Sequence, residues 1–185
     1  MANTQKERVA AFYEAHHSRG KYDYLYGGED RKDLFVELVG TEKNILEIGC
    51  RAGNLTQHFA KDNKVVGVDI DRAALRLFEE RLGCKGHWVD VDDEPLPFPD
   101  KTFDVVVFSE VMEHVRFPQK ALGEIRRVLK LDGRLIGSVP NAFRFRNRLR
   151  FLAGRQYESD PSHLRQYSFS ILRRELEPHF REVGI

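Results

Sequence analysis

Four acidic residues in the middle of the chain, Glu47, Asp69, Asp90 and Asp92, sit at the ends of short apolar runs. A carboxylate in such a place accepts hydrogen bonds from the paired hydroxyls of a ribose or from the amino group of an adenine ring. Asp69 falls 20 residues after Gly49, the spacing expected of a ribose-binding acid. Asp90 and Asp92 suit the adenine amino group, and Val91 between them can pack on the ring. Glu47 stands just before the turn Gly49-Cys50-Arg51-Ala52-Gly53-Asn54, where it suits an ammonium better than a phosphate. That turn lacks the G-x-G-x-x-G spacing that cradles a dinucleotide pyrophosphate, because Arg51 and Asn54 replace two of its glycines. The acids therefore ask for a nucleoside that carries positive charge and no phosphate, and S-adenosylmethionine is such a molecule. Cys50 in the turn and Ile70 beside Asp69 join these residues as expected cofactor contacts.

A second constellation lies in the string EVMEH. On a helical turn, Glu110, Glu113 and His114 stand at i, i+3 and i+4 and share a face. Two carboxylates and an imidazole suit magnesium or manganese better than structural zinc. A third feature is the segment 142–155, which holds Arg144, Arg146, Arg148, Arg150 and Arg155 and no acid. On a helix, Phe145, Leu149 and Leu152 would share one face and the arginines the rest. This reads either as a solvated amphipathic lid or as a cradle for a phosphate or carboxylate of an acceptor. Tyr13, Tyr22, Tyr24 and Tyr26 would close the opposite side or serve as packing.

These groups need a scaffold, and the hydrophobic pattern supplies one. Asn44–Gly49, Lys64–Asp69, Lys85–Val91, Phe103–Ser109 and Gly133–Val139 read as strands, with Phe103–Ser109 the most apolar and so the expected central one. Helices are expected at Asp33–Val39 (packing Leu34, Phe35, Leu38 and Val39), Asn54–Lys61, Arg72–Leu82 with Asp71 as N-cap, and Pro118–Leu129. Strands alternating with helices imply an α/β, doubly wound, Rossmann-like, mainly parallel sheet with helices on both faces. The 185 residues make one domain: a helical cap over 1–43, a cofactor-binding core over 44–141, and a lid with a C-terminal helix or strand over 142–185. A net charge of +1 does not point to nucleic acid or membrane, and no apolar run reaches the roughly 20 residues of a membrane helix. Without a secretory signal or a paired-cysteine motif, a cytoplasmic protein with reduced Cys50 and Cys84 is expected.

The strings ILEIGCRAGNLT, VVGVDID, PLPFPDKTFDVVVFSEVMEHV and EIRRVLKLDGRLIGSVPN resemble successive motifs of class I S-adenosylmethionine-dependent methyltransferases of small-molecule type. The resemblance covers residues 44–141 and more loosely HLRQYSFSILRREL. It implies that Glu47, Gly49 and Gly53 shape the methionine end of the site. It also implies that Asp69 holds the ribose, Asp90 to Asp92 the adenine, and Ser109 a wall after the fourth strand. His114 would face the methyl group and is the candidate general base. The family usually has glycine at the place of Arg51, whose side chain is expected to turn out of the pocket without abolishing binding. E-x-x-E-H resembles the metal motif of ubiquinone-pathway O-methyltransferases and of enzymes that methylate the 3′ end of small RNAs. In the latter a further histidine follows, and His163 stands at a similar place. The expected reaction is methyl transfer to an oxygen or nitrogen of a small molecule, with an anionic acceptor as one reading of the arginine segment. An RNA methyltransferase and a non-catalytic cofactor-binding module are the alternatives. The family also implies more C-terminal strands than Phe180–Ile185 can supply, so an incomplete sheet or an edge covered in a homodimer is expected.

Overall fold

The computed structural model of the protein describes residues 4–18, 28–155, 160 and 162–185. Five strands form one sheet: β1 (Asn44–Ile48), β2 (Lys64–Asp69), β3 (Lys85–Trp88), β4 (Phe103–Ser109) and β5 (Leu129–Ser138). Their order is β3-β2-β1-β4-β5 and every pairing is parallel. The chain winds outward in both directions from β1, which creates a crevice where β1 and β4 end side by side. The helices are α1 (Gln5–His17), α2 (Gly28–Val39), α3 (Arg72–Leu82), α4 (Pro118–Val128), α5 (Phe145–Leu152) and α6 (Phe169–Leu176).

The period of two along each strand sorts the core into two layers. Leu46, Ile48, Val68, Val106 and Phe108 pack with Leu122, Ile125 and Val128 of α4, and α6 adds Ile171 and Leu172 on that side. Ile45, Val65, Val105, Val107 and Ile136 pack with Phe35 and Val39 of α2 and with Phe59. Helix α3 approaches so closely that a Cβ on Gly67 would lie 2.8 Å from the Phe78 ring. The Asp71 carboxylate caps α3 by accepting from the Ala74 amide at 2.9 Å, as its position before Arg72 implied. Pro118 opens α4, where its missing N–H costs nothing.

Several expectations are corrected. β1 rather than β4 lies in the middle, although β4 is still buried between β1 and β5. Asn54–Lys61 is not an α-helix but two 3-10 turns, Thr56–His58 and Ala60–Asp62. Phe59 leaves the helical region between them (φ −129°, ψ −5°), with its ring in the core. The Asn63 amide ties down the carbonyls of Phe59 and Gly40. Among the described side chains of α2, Phe35 and Val39 are buried, while Leu34 and Leu38 are exposed. β3 stops at Trp88, and β5 begins at Leu129, immediately after α4, with a register shift opposite Phe103–Val105. Phe180–Ile185 forms no strand, so the sheet of the described residues ends at β5. Tyr22, Tyr24 and Tyr26 lie outside the described residues. Among the described residues no helix is long and apolar enough to cross a membrane.

Candidate active site

A cavity of about 1360 Å³ opens at the carboxyl ends of the strands. Its floor is the turn after β1. Gly49 and Gly53 take left-handed φ angles of +75° and +81°, and a Cβ at either would collide with Val111 or Leu82 at 2.2 and 2.5 Å. Gly49 faces the cavity, whereas Gly53 lies beneath the turn against α3. Arg51 also takes a left-handed φ, +48°. Its amide donates to Asp69 Oδ2 at 2.8 Å, and the residue, half-buried, is among those that line the cavity. Cys50 is buried in the floor, with its thiol pushed up by burial.

The expected acids converge on this floor. Glu47, next to last in β1, is almost fully buried, and the Thr56 hydroxyl donates to it. Burial pushes its pKa up to about 8, against the pull of Thr56 and with a push from the nearby Asp69 carboxylate. Asp69 is raised by burial too, although the amides of Asp71 and Arg51 donate to its two oxygens at 2.8 Å each. Asp90 accepts from the Asp92 amide through Oδ1. Its other oxygen is buried, has no hydrogen-bonding partner among the described residues and belongs to a cavity-lining residue. A buried acceptor left unmatched costs free energy, and an adenine amino group is the kind of donor that would match it. Asp92 differs. It accepts from Arg116 Nε at 3.2 Å and from the Phe117 amide at 3.0 Å, so it secures the loop before α4. Ile70 and Val91 line the cavity, and the Ile70 carbonyl accepts from the Trp88 indole.

The EVMEH segment departs from its expected form. Glu110 has a left-handed φ of +54°, and only Met112–His114 form a 3-10 turn. Glu110 is thereby directed to β5, where it accepts from Ser138 Oγ at 2.8 Å, with the Arg31 guanidinium 3.6 Å away. Arg31 also donates to Ser109 and Ser138. Ser109 therefore belongs to a polar network at the β4–β5 end, and Arg31 joins the cavity wall from α2. Glu113, His114 and His163 do come together, with one ligand atom of each within 4.8 Å of the others. Two imidazoles and a carboxylate fit a divalent ion; Glu110 is not part of that set.

His114 Nδ1 lies 3.1 Å from the Ser162 carbonyl. A carbonyl only accepts, so Nδ1 carries the proton and Nε2 presents a lone pair. Burial and the neighbouring His163 push the His114 pKa down to about 4, which keeps the ring neutral at pH 7. Tyr13 of α1 lies edge-on to this ring at 6.0 Å, and burial raises its own pKa. α1 thus roofs the cavity, held down by His17–Asp71 at 2.8 Å and by Lys6 over the Trp88 ring at 3.6 Å. From α5, Arg144, Asn147 and Arg150 line the far side. The helical cap and Tyr13 on this side of the site follow the sequence expectation; Arg31, His16 and His17 in the wall were not foreseen from sequence.

A doubly wound sheet with buried acids lining a cavity at the carboxyl ends of successive strands is an arrangement typical of nucleoside-binding domains. A family model described as a methyltransferase domain matches residues 46–137. The chain belongs to the class I S-adenosylmethionine-dependent methyltransferases. It is 36% identical over 147 residues to the ubiquinone/menaquinone biosynthesis C-methyltransferase UbiE of Ectopseudomonas mendocina, covering 70% of this chain and 57% of that protein. The chain therefore spans less than two thirds of the length of that relative. The crystal structure of the YcgJ protein from Bacillus subtilis superposes with a TM-score of 0.64 at 25% identity, over 81% of this chain and 67% of that one. The [4+2]-cyclase SpnF shares the fold, with a TM-score of 0.70 at 20% identity over 96% of this chain and 73% of its own. A fold shared with a cyclase does not fix a reaction, and the reaction must be argued from the site.

Proposed function

We propose that this protein binds S-adenosylmethionine in the strand-end cavity and transfers its methyl group to a small hydroxylated acceptor. The observation that carries the reading is the unmatched, buried Asp90 oxygen on a cavity whose floor already holds Glu47 and Asp69. In this arrangement Asp90 takes the adenine amino group, Asp69 the ribose hydroxyls, and Glu47 the ammonium of the methionine end. The sulfonium supplies a methyl group that is already activated. The chain's own contribution is alignment and exclusion of water by α1 and α5.

His114 Nε2 is the group to take a proton. Removing it from an acceptor hydroxyl makes that oxygen nucleophilic, or the ring carbon conjugated with it. The second route fits the carbon methylation in the names of the curated relatives; the first fits the oxygen attack expected from sequence. Arg144 and Arg150 on the far wall suit a carboxylate or phosphate on the acceptor. Incubation of the protein with isotopically labelled methyl donor and a pool of phenolic and enolic metabolites tests the proposal. Labelled small-molecule products that vanish in His114→Ala are expected, and no labelled product from any hydroxylated compound would overturn it.

A further inference from the structure

Helix α5 is amphipathic in the reverse sense for a soluble domain. Asn147 is its one buried residue, and with Arg144 and Arg150 it faces the cavity. At 3.6 residues per turn, the stripe of Phe145, Leu149 and Leu152 lies on the side opposite Asn147. These side chains are 75%, 49% and 81% exposed. Arg146 and Arg148 flank the apolar stripe, both exposed. The segment 142–155 carries five arginines and no acid, in a chain whose whole charge is only +1. Such a contiguous apolar face normally marks an interaction surface.

We propose that α5 docks on an anionic lipid surface, its phenylalanine and leucine side chains entering the headgroup boundary and its arginines meeting the lipid phosphates. The charge decides the occupant: a flanking ring of arginines around an apolar stripe matches an anionic interface, where arginine stems lie along the apolar layer and their heads reach the phosphates. α5 is too short to span a bilayer, and the docking needs no spanning helix. Because the opposite face of the same helix lines the cavity, docking would hold the cavity one helix width from the surface. An amphiphilic acceptor could then reach the cavity without leaving the interface.

The test is co-sedimentation of the full chain with vesicles of phosphatidylcholine containing about a quarter phosphatidylglycerol, against phosphatidylcholine alone. Binding to the anionic vesicles is expected, weakened by raised salt. Phe145→Glu with Leu149→Glu should reduce partitioning at least tenfold. Arg146→Gln with Arg148→Gln should reduce it by about fivefold per arginine on anionic vesicles. None of these four side chains lines the cavity, so S-adenosylhomocysteine affinity and melting temperature should stay as in the wild type. The proposal is overturned if the wild-type chain stays in the supernatant with anionic vesicles. It is equally overturned if both double variants bind as the wild type does, or if sedimentation equilibrium shows a dimer that Phe145→Glu with Leu149→Glu splits, since a second copy would then be the occupant.

Discussion

Glu47→Gln keeps the shape of a buried side chain and removes its titration. In the ligand-free protein the Glu47 pKa stands at about 8, so at pH 7 the carboxyl is protonated roughly ten to one. Pairing with the donor's ammonium requires the ionised form, which costs about 1.4 kcal/mol at pH 7 and releases about 0.9 proton. The donor's α-amino group, with a pKa near 7.8, takes up about 0.1 proton when held charged. The net release is therefore about 0.8 proton per cofactor at pH 7. Calorimetric titration in buffers of different ionisation enthalpy reads this number directly. Glu47→Gln should bring it to about zero. The same linkage fixes the pH dependence of stability. The folded pKa lies above the unfolded value of 4.5, so the proton stabilises the ligand-free chain fully below about pH 4.5, and the benefit is lost as pH rises through about 8. Asp69, also raised, acts with the same sign. Tight cofactor binding without proton release in the wild type would refute the assignment of Glu47 to the ammonium.

Asp90→Ala should weaken binding of S-adenosylhomocysteine by about 10- to 100-fold, the worth of a charge-assisted hydrogen bond, and should abolish discrimination against the analogue with inosine in place of adenosine. Asp69→Ala should cost at least tenfold in cofactor affinity and also lower stability by about 1–3 kcal/mol in denaturant unfolding, because the Arg51 and Asp71 amides lose their acceptors. Arg51→Gly relieves a left-handed φ and should raise stability by up to about 1 kcal/mol, with cofactor affinity within about threefold of the wild type; a wild type that fails to bind while this variant binds would contradict the reading of a working turn. His114→Ala should lower turnover by about 10²- to 10⁴-fold, with activity unaffected by EDTA. Loss in EDTA that manganese restores, and that His163→Ala reproduces, would instead assign the Glu113–His114–His163 set to a metal.

The parallel strands and the acids at their ends were legible because both signals are local. An apolar run fixes a strand, and Glu47, Asp69 and Asp90 follow from where the runs stop. Asp92 lines the cavity as expected, but its carboxylate is already held by Arg116 and the Phe117 amide, partners that the local pattern does not reveal. Helical spacing grouped Glu110 with Glu113 and His114, but a single residue with φ +54° turned it to Ser138 and Arg31. His163, far off in sequence, reached the cluster as expected from the resemblance. Periodicity identified the amphipathic α5 but not its orientation. An apolar stripe ordinarily faces the core, and here the buried side chain is Asn147, which donates to the Ala142 carbonyl at 3.0 Å. The cap over 1–43 was legible as helical, but the place of Arg31 at the ends of β4 and β5 and the tie of His17 to Asp71 depend on packing between residues far apart in sequence, for which the local pattern carries no signal.

The central claim is that the strand-end cavity is an S-adenosylmethionine site. Equilibrium dialysis of the full chain against methyl-labelled S-adenosylmethionine tests it most directly. One molecule bound per chain is expected, displaced by S-adenosylhomocysteine and at least tenfold weaker in Asp69→Ala. A wild-type chain that retains no label at donor concentrations of hundreds of micromolar, or one whose binding survives Asp69→Ala and Asp90→Ala unchanged, would contradict the account.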